Sequence, residues 1–376
     1  MIDPVELLQR LVRTPSVNPT FSGDVSVKGE GELARLIAGE LEGWGFKVEL
    51  PDVFPGRPNL VAFREGSTAE AIGLCAHLDT MSPDGMTVPA FDAAVRDGCV
   101  WGRGSADTKA SIAAMLTAVR AELDENDRRV PSLLILLTCD EEAHFTGAQQ
   151  FAEAEHPKLA GMVIGEPTGL TLIGAHKGVL RTTIRTSGVA AHGSMPERGV
   201  NAIYRMAEVV QRLERLAGEL GKRPVHPRLG HGTLNVGTIA GGTAVNTVPD
   251  SCEIKIDRRV LPGEDAAAIV AELQAAVAGI KGVTIDKPYV NVPGFAIDVN
   301  HPWARRISGA LKQPADGVAP YATDASVLHH AGMPCLVYGP AAPGAAHSAD
   351  EHVAVDEVLR AVEGYRAIIG TMNDER

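Results

Sequence analysis

Residues 71–79 read AIGLCAHLD, apolar almost without a break as far as His77 and then polar at Asp79. A short run with no apolar/polar alternation is the signature of a strand covered on both faces. Residues 132–139, SLLILLTC, have the same character, and GMVIGE at 161–166 and NLVAFRE at 59–65 read as further strands. Helical spacing of apolar residues fills the gaps. It occupies GELARLIAGELEG at 31–43, where Gly45 stops the pattern before FKVEL, and TKASIAAMLTAVRAEL at 108–123, just after Asp107. Strand and helix in turn imply an α/β fold, a parallel or mixed sheet with helices on both faces.

The rhythm changes after His176. VLRTTIRTSG at 179–188, TLNVGTI at 233–239 and CEIKIDRRV at 252–260 alternate apolar with polar residues, as strands with one wet face do, and a last strand falls near VTIDK at 283–287. One helix is expected from about Asn201 to Leu220 and another after PGED at 262–265. Two helices on a four-stranded antiparallel sheet make a small α+β unit of ordinary domain size. From about Asn291 the α/β pattern resumes, with a helix over 301–312, the strand PCLVYGP and a helix from Asp356. The expected organisation is therefore a mixed-sheet α/β domain in two parts, 1–177 and 291–376, interrupted by an inserted α+β domain over 178–290.

Composition agrees with such an organisation: 376 residues, 45% apolar and 22% charged, exceed what one core usually serves. A formal net charge of −12 disfavours nucleic acid, whose phosphates need clustered Lys and Arg. The five cysteines are scattered, odd in number and without a C-x-x-C pair, as expected in a reducing cytoplasm. The first twenty residues, MIDPVELLQRLVRTPSVNPT, lack the apolar stretch of a signal peptide, and no run reaches the length of a membrane span.

The ionisable residues fall where such a sheet does chemistry. His77 and Asp79 end one strand, Glu141 and Glu142 follow another, and Glu166 ends a third. Asp107 precedes a helix in WGRGSAD, and His347 lies in a Pro/Gly/Ala-rich loop after CLVYGP. The carboxyl ends of strands in open α/β sheets form the ligand crevice. Imidazole with carboxylate and no thiolate suits Zn²⁺ and related metals, and a set of this size suits two ions sharing a carboxylate. His77 and Asp79 lie on one side of a strand, so the Asp79 carboxylate is expected to accept the free ring N–H of His77. Adjacent Glu141 and Glu142 point different ways, so one can bind metal while the other serves as a base beside an activated water. Each signal alone has a plainer reading: a hydrogen-bonded turn for His77 and Asp79, a solvated helix start for the Glu pair, and an N-cap worth about 1 kcal/mol for Asp107. Their agreement on one edge favours the site.

In order along almost the whole chain, LLQRLVRTPSVNP, AHLDT, GRGSADTKAS, TCDEE, GEPTGL, AHKGVLR, AAHGSMPERGVNAI, GGTAVNTVPD, DRRVLPGE and AHSADEHV resemble the acetylornithine deacetylase/succinyl-diaminopimelate desuccinylase family of dinuclear zinc metallopeptidases. The resemblance implies two divalent cations, Zn²⁺ first and Co²⁺ as the alternative. His77 and Glu166 would be terminal ligands of one, Asp107 the bridge, and Glu142 and His347 ligands of the other. It implies Glu141 as general base and Asp79 as the partner of His77. It makes the inserted domain a lid that pairs subunits into a homodimer, with His192 of AAHGS reaching the partner's active site to hold the oxyanion. Asn246 and Arg259 would bind substrate, the latter gripping a carboxylate. Thr323 and Asp324 of YATDAS would lie at the pocket rim. The substrate so implied is a small N-acyl amino acid or short peptide. Residues 317–326, GVAPYATDAS, stand closer to the acetylornithine deacetylase side than to the desuccinylase side, while carboxypeptidases and dipeptidases share the metal motifs.

Two readings of other classes compete. Gly102 and Gly104 before a helix resemble part of a dinucleotide-binding loop, but Asp107 would place an anion where a pyrophosphate sits. A non-catalytic metal-binding relative is the other; the retained Glu141 speaks against it.

Overall fold

The computed structural model describes residues 2–21, 29–223 and 225–374. The chain divides into two compact units. One comprises residues 1–174, 297–317 and 323–376, the other 175–296 and 318–322.

The first unit is built on the strand Ala71–His77, every residue of which is buried. It pairs in parallel with Ser132–Thr138 on one side and Leu159–Ile164 on the other, and the latter pairs in parallel with Cys335–Val337. Leu60–Arg64 and then Lys47–Glu49 extend the sheet antiparallel beyond Ser132–Thr138. The register sets His77 opposite Thr138 and Cys75 opposite Ile164, so three strands finish at the same edge. The continuous apolar runs are thus the centre of a sheet that water does not reach. The helix Lys109–Asn126 packs against Val355–Gly370 and Pro4–Val12. Asp3 caps the last of these by accepting from the N–H groups of Val5 and Glu6, with Pro4 preset at the first helical position. The helix Pro302–Leu311 comes so close to the sheet that a Cβ on Gly161 would lie 2.4 Å from the Trp303 ring, while the Trp303 Nε1–H donates to the Met162 carbonyl at 3.2 Å. Only glycine allows that docking. No helix among the described residues is long and apolar enough to cross a membrane.

In the second unit the strands run in the order Thr233–Gly241, Ser251–Val260 and Gly178–Ser187, all antiparallel. The next position is shared by two short strands. Val283–Ile285 pairs with one half of Gly178–Ser187 and Val290–Val292 with the other, so the sheet has five strands rather than the four expected. The reason is Pro288: Asp286 and Tyr289 on either side donate to Thr183 and Arg181, and proline has no N–H to continue the ladder. That second pairing carries this unit through residue 292, and the pairing of Ala175 and His176 with Ala296 and Phe295 takes it to 296, beyond the 290 read from the sequence. The helices Ala202–Leu220 and Ala266–Ala276 cover one face, burying Met206, Val209, Leu213, Ile269 and Leu273 against Leu180, Ile184, Ile254 and Ile256. The strict alternation of burial along Ser251–Val260 follows from that one-sided cover.

Candidate metal centre

Parallel register delivers the candidate ligands. His77 is the last residue of its strand, Glu141 and Glu142 follow the turn after Ser132–Thr138, and Glu166 lies just past Leu159–Ile164. Two groups of side chains result, His77 with Asp107 and Glu166, and Asp107 with Glu142 and His347, each with donor atoms within 4.8 Å of one another. Asp107 belongs to both. Its Oδ1 is 2.9 Å from His77 Nε2 and its Oδ2 is 3.3 Å from His347 Nε2. His347 Nε2 lies 2.9 Å from Glu142 Oε2, and His77 Nε2 lies 4.0 Å from Glu166 Oε2. His347 takes left-handed backbone angles (φ 58°), a conformation uncommon outside glycine and often found at functional positions.

The tautomer of His77 follows from its partner. Its Nδ1 is 2.9 Å from the backbone carbonyl of Asp79, and a carbonyl can only accept. Nδ1 therefore carries a proton, and Nε2, which faces Asp107 and Glu166, is the nitrogen that would offer its lone pair to a metal once its own proton is displaced. The expectation that the Asp79 carboxylate takes this proton is corrected: its Oδ1 is 3.7 Å away. That carboxylate instead accepts the backbone N–H groups of Glu141 and Glu142 at 3.1 and 3.2 Å, and the Asn18 side chain at 2.8 Å. Asp79 holds the turn that carries both glutamates. Burial pushes its carboxyl up to about 7.

The electrostatics fit divalent cations. Burial, and then the charge of Glu166, push the Glu141 carboxyl well up; burial likewise raises Glu166. Asp107 goes the other way: burial opposes its charge, yet hydrogen bonds with His347 and His77 hold it well below the usual carboxylate range. Burial opposes charge on His347 too, but its bonds to Asp107 and Glu142 raise it to about 11. Carboxylates gathered this closely demand positive charge. Protons on the imidazoles supply it, and a metal would compete with them, because ligation needs neutral imidazole and releases protons. The donor set contains nitrogen and oxygen without sulfur, a combination that suits divalent cations.

The remaining candidates divide. Thr323 and Asp324, expected at a pocket rim, are each 1% exposed. Asp324 accepts from the Thr138 hydroxyl at 2.6 Å, so the two are buried rather than at a rim, with Asp324 near enough to Glu141 and Glu166 to raise their carboxyls. In the second unit a two-stranded ribbon sets His192 opposite Thr247, and Gly193 N–H donates to the Asn246 carbonyl at 2.7 Å, so His192 and Asn246 are neighbours. His192 Nδ1 accepts the Ser194 backbone N–H at 3.2 Å and faces its hydroxyl at 2.7 Å, which leaves the ring proton of the neutral form on Nε2. Arg259 spends its Nε on Asp257 at 2.7 Å, its same-face neighbour two residues back.

Two charged residues have no role in the sequence reading. Arg103 Nη1 lies 2.5 Å from Glu351 Oε2, and the other Glu351 oxygen accepts the N–H groups of Ala106 and Asp107 at 3.0 and 3.1 Å. Nothing in their spacing, 248 residues apart, marks them as a pair.

The family model described as Peptidase family M20/M25/M40 matches residues 73–371. Acetylornithine deacetylase of Photorhabdus laumondii subsp. laumondii is 35% identical over 361 residues, covering 93% of this chain and 92% of that protein. An M20 family metallo-carboxypeptidase from Sulfolobus solfataricus superposes with a TM-score of 0.80 at 17% identity, over 99% of this chain and 100% of that one. A dinuclear metal-binding peptidase of the M20 family from Bacillus subtilis superposes with a TM-score of 0.68 at 15% identity, over 98% and 97% of the two chains.

Proposed function

The chain belongs to peptidase family M20/M25/M40, and from that membership we propose that it removes the acyl group from an N-acyl amino acid, N-acetylornithine first among them. It is a metal-dependent hydrolase of amide bonds. The observation that carries the reading is the meeting of two ligand sets at Asp107, with Glu141 close enough to His77 and Glu166 to feel their charges. The nitrogen and oxygen donors favour Zn²⁺, with Co²⁺ as a substitute. His77, Asp107 and Glu166 would hold one ion and Asp107, Glu142 and His347 the other. Bound there, the ions would supply Lewis-acid polarisation of the amide carbonyl and lower the pKa of the attacking water.

The chain's own residues do the rest. Glu141 takes a proton from the water as its oxygen bonds to the carbonyl carbon. It returns that proton to the amine nitrogen as the C–N bond breaks, giving a carboxylic acid and a free amine. A carboxylate that belongs to neither ligand set is free to take that proton and give it back. His192 donates its Nε2–H to the developing oxyanion. Arg259 and Asn246 bind the amino-acid portion, the Arg by its guanidinium on the substrate carboxylate. The free cysteines fit a cytoplasmic enzyme.

A homodimer through the second unit accounts for His192 acting in trans. The sheet-edge strand Thr233–Gly241 exposes Ile239, the loop beyond it exposes Val245, and the helix Ala202–Leu220 exposes Tyr204. An unpaired edge flanked by apolar side chains suits a second copy. Mixed after subunit exchange, inactive His192→Ala and Glu141→Gln proteins should regain about a quarter of wild-type activity, because half the dimers then hold one intact site. Exchange without recovery would place His192 outside the partner's site.

The substrate is tested by amine release from N-acetylornithine, N-succinyl-diaminopimelate and dipeptides, with Zn²⁺ or Co²⁺ and again with chelator. The expected outcome is chelator-sensitive turnover of N-acetylornithine, at least about tenfold above the others in kcat/KM. Preference for a dipeptide would move the enzyme to the peptidase side of the family.

A further inference from the structure

The two metal-ligand sets are built differently. In the first, His77 ends a buried strand and Glu166 lies just past another strand, so the sheet holds two ligands and only the shared Asp107 stands on a loop. In the second, Asp107, Glu142 and His347 all stand on loops, and the His347 side chain is half exposed. Something other than the sheet must keep the loops of Asp107 and His347 in register.

We propose that the buried Arg103–Glu351 pair is the positioning device of the second metal set, holding Asp107 and His347 at the spacing one cation requires. The proposal rests on the reading of that set as a metal site. Glu351 is 0% exposed and Arg103 4%. One Glu351 oxygen accepts two successive N–H groups, those of Ala106 and Asp107, and so fixes the peptide from which the shared ligand springs. The other oxygen takes Arg103 Nη1, whose Nε donates to the Ser82 carbonyl at 3.1 Å. The Glu351 carbonyl accepts the Gly102 N–H at 3.0 Å, and the Ala349 carbonyl accepts the Thr87 N–H at 2.7 Å. Just beyond, the strand His352–Ala354 pairs with Cys99–Trp101, and the His352 and Trp101 rings stack at 4.2 Å. The segment carrying His347 is thereby stitched to the segment carrying Asp107, with Glu351 at the seam.

Stability alone is a poor reason for such a pair. Desolvating two charges offsets most of their attraction, and a packed apolar pair of similar volume would serve a core as well. What an apolar pair cannot do is accept two neighbouring N–H groups and aim the side chain that follows them.

The test is cation binding by the apo protein, followed by competition with a chromophoric chelator, alongside its thermal melting transition. Wild type should bind two equivalents of Zn²⁺. Glu351→Gln keeps an oxygen for the N–H groups but loses the charge that holds Arg103. It should weaken the second equivalent by about 10–100-fold, the usual effect of losing a ligand's supporting partner, and the first less, because the sheet holds two of its three ligands. Arg103→Lys keeps a cation without the two-pronged grip and should shift binding the same way; it decides the matter if Glu351→Gln does not fold. Equal weakening of both equivalents in a folded variant, or no weakening, overturns the proposal. A wild type that binds one cation removes the second set itself, and the proposal fails with it, by a route the variants do not share.

Discussion

Glu141→Gln is expected to lower kcat by about 10²–10⁴-fold, the range attributed to a positioned general base, while both cations stay bound. Glutamine fills the same volume and cannot take a proton. Glu141 belongs to neither ligand set, and its N–H is held by Asp79 whatever its side chain carries. Removing one buried carboxyl from beside Glu166 relieves repulsion in the metal-free protein, so the variant should fold, and both ligand sets stay complete. Steady-state kinetics with metal analysis of the dialysed protein decides it. Near-normal turnover would remove Glu141 from the chemistry, and loss of metal together with activity would make it a ligand instead.

Asp107→Ala should have the larger effect, because the two sets share this one carboxylate. Activity is expected to fall at least about 10⁴-fold, with neither cation surviving dialysis and no rescue by excess Zn²⁺. His347→Ala is the informative contrast, since it strips the second set and leaves His77, Asp107 and Glu166 together. That variant should retain one tightly bound cation. Retention of two cations by Asp107→Ala would show that Asp107 does not link the sets. In wild type, chelation and readdition of metal should abolish and restore activity reversibly, because the buried strands beneath the site do not depend on the ions.

The metal centre was legible because its residues follow strands whose identity is written in composition. An apolar run such as 71–77 can be stable only with both faces covered, and whatever follows it must emerge at the sheet edge. The candidate base and the candidate ligands beside it therefore stand out. Thr323 and Asp324 did not yield to the same reasoning: a polar pair in a loop reads as exposed, and only packing beneath the strand Ser132–Thr138 buries it. His192, Asn246 and Arg259 were found by resemblance, because a polar residue in a turn or on a wet strand carries no signal of its own.

By itself the sequence determined the two kinds of structure and the edge at which chemistry gathers, since periodicity and burial are local and need no knowledge of distant partners. It determined the α/β strands, the change of pattern after His176 and the candidate donors at the strand ends. Tertiary structure alone decided the partners: that a backbone carbonyl sets the tautomer of His77, that Asp79 holds the turn of Glu141, and that Val290–Val292 adds a strand. It alone joined Arg103 to Glu351. Each of these is a hydrogen bond or ion pair between groups whose spacing along the chain has no period. Such contacts exist only after the chain has folded, when geometry rather than sequence order chooses which donor meets which acceptor.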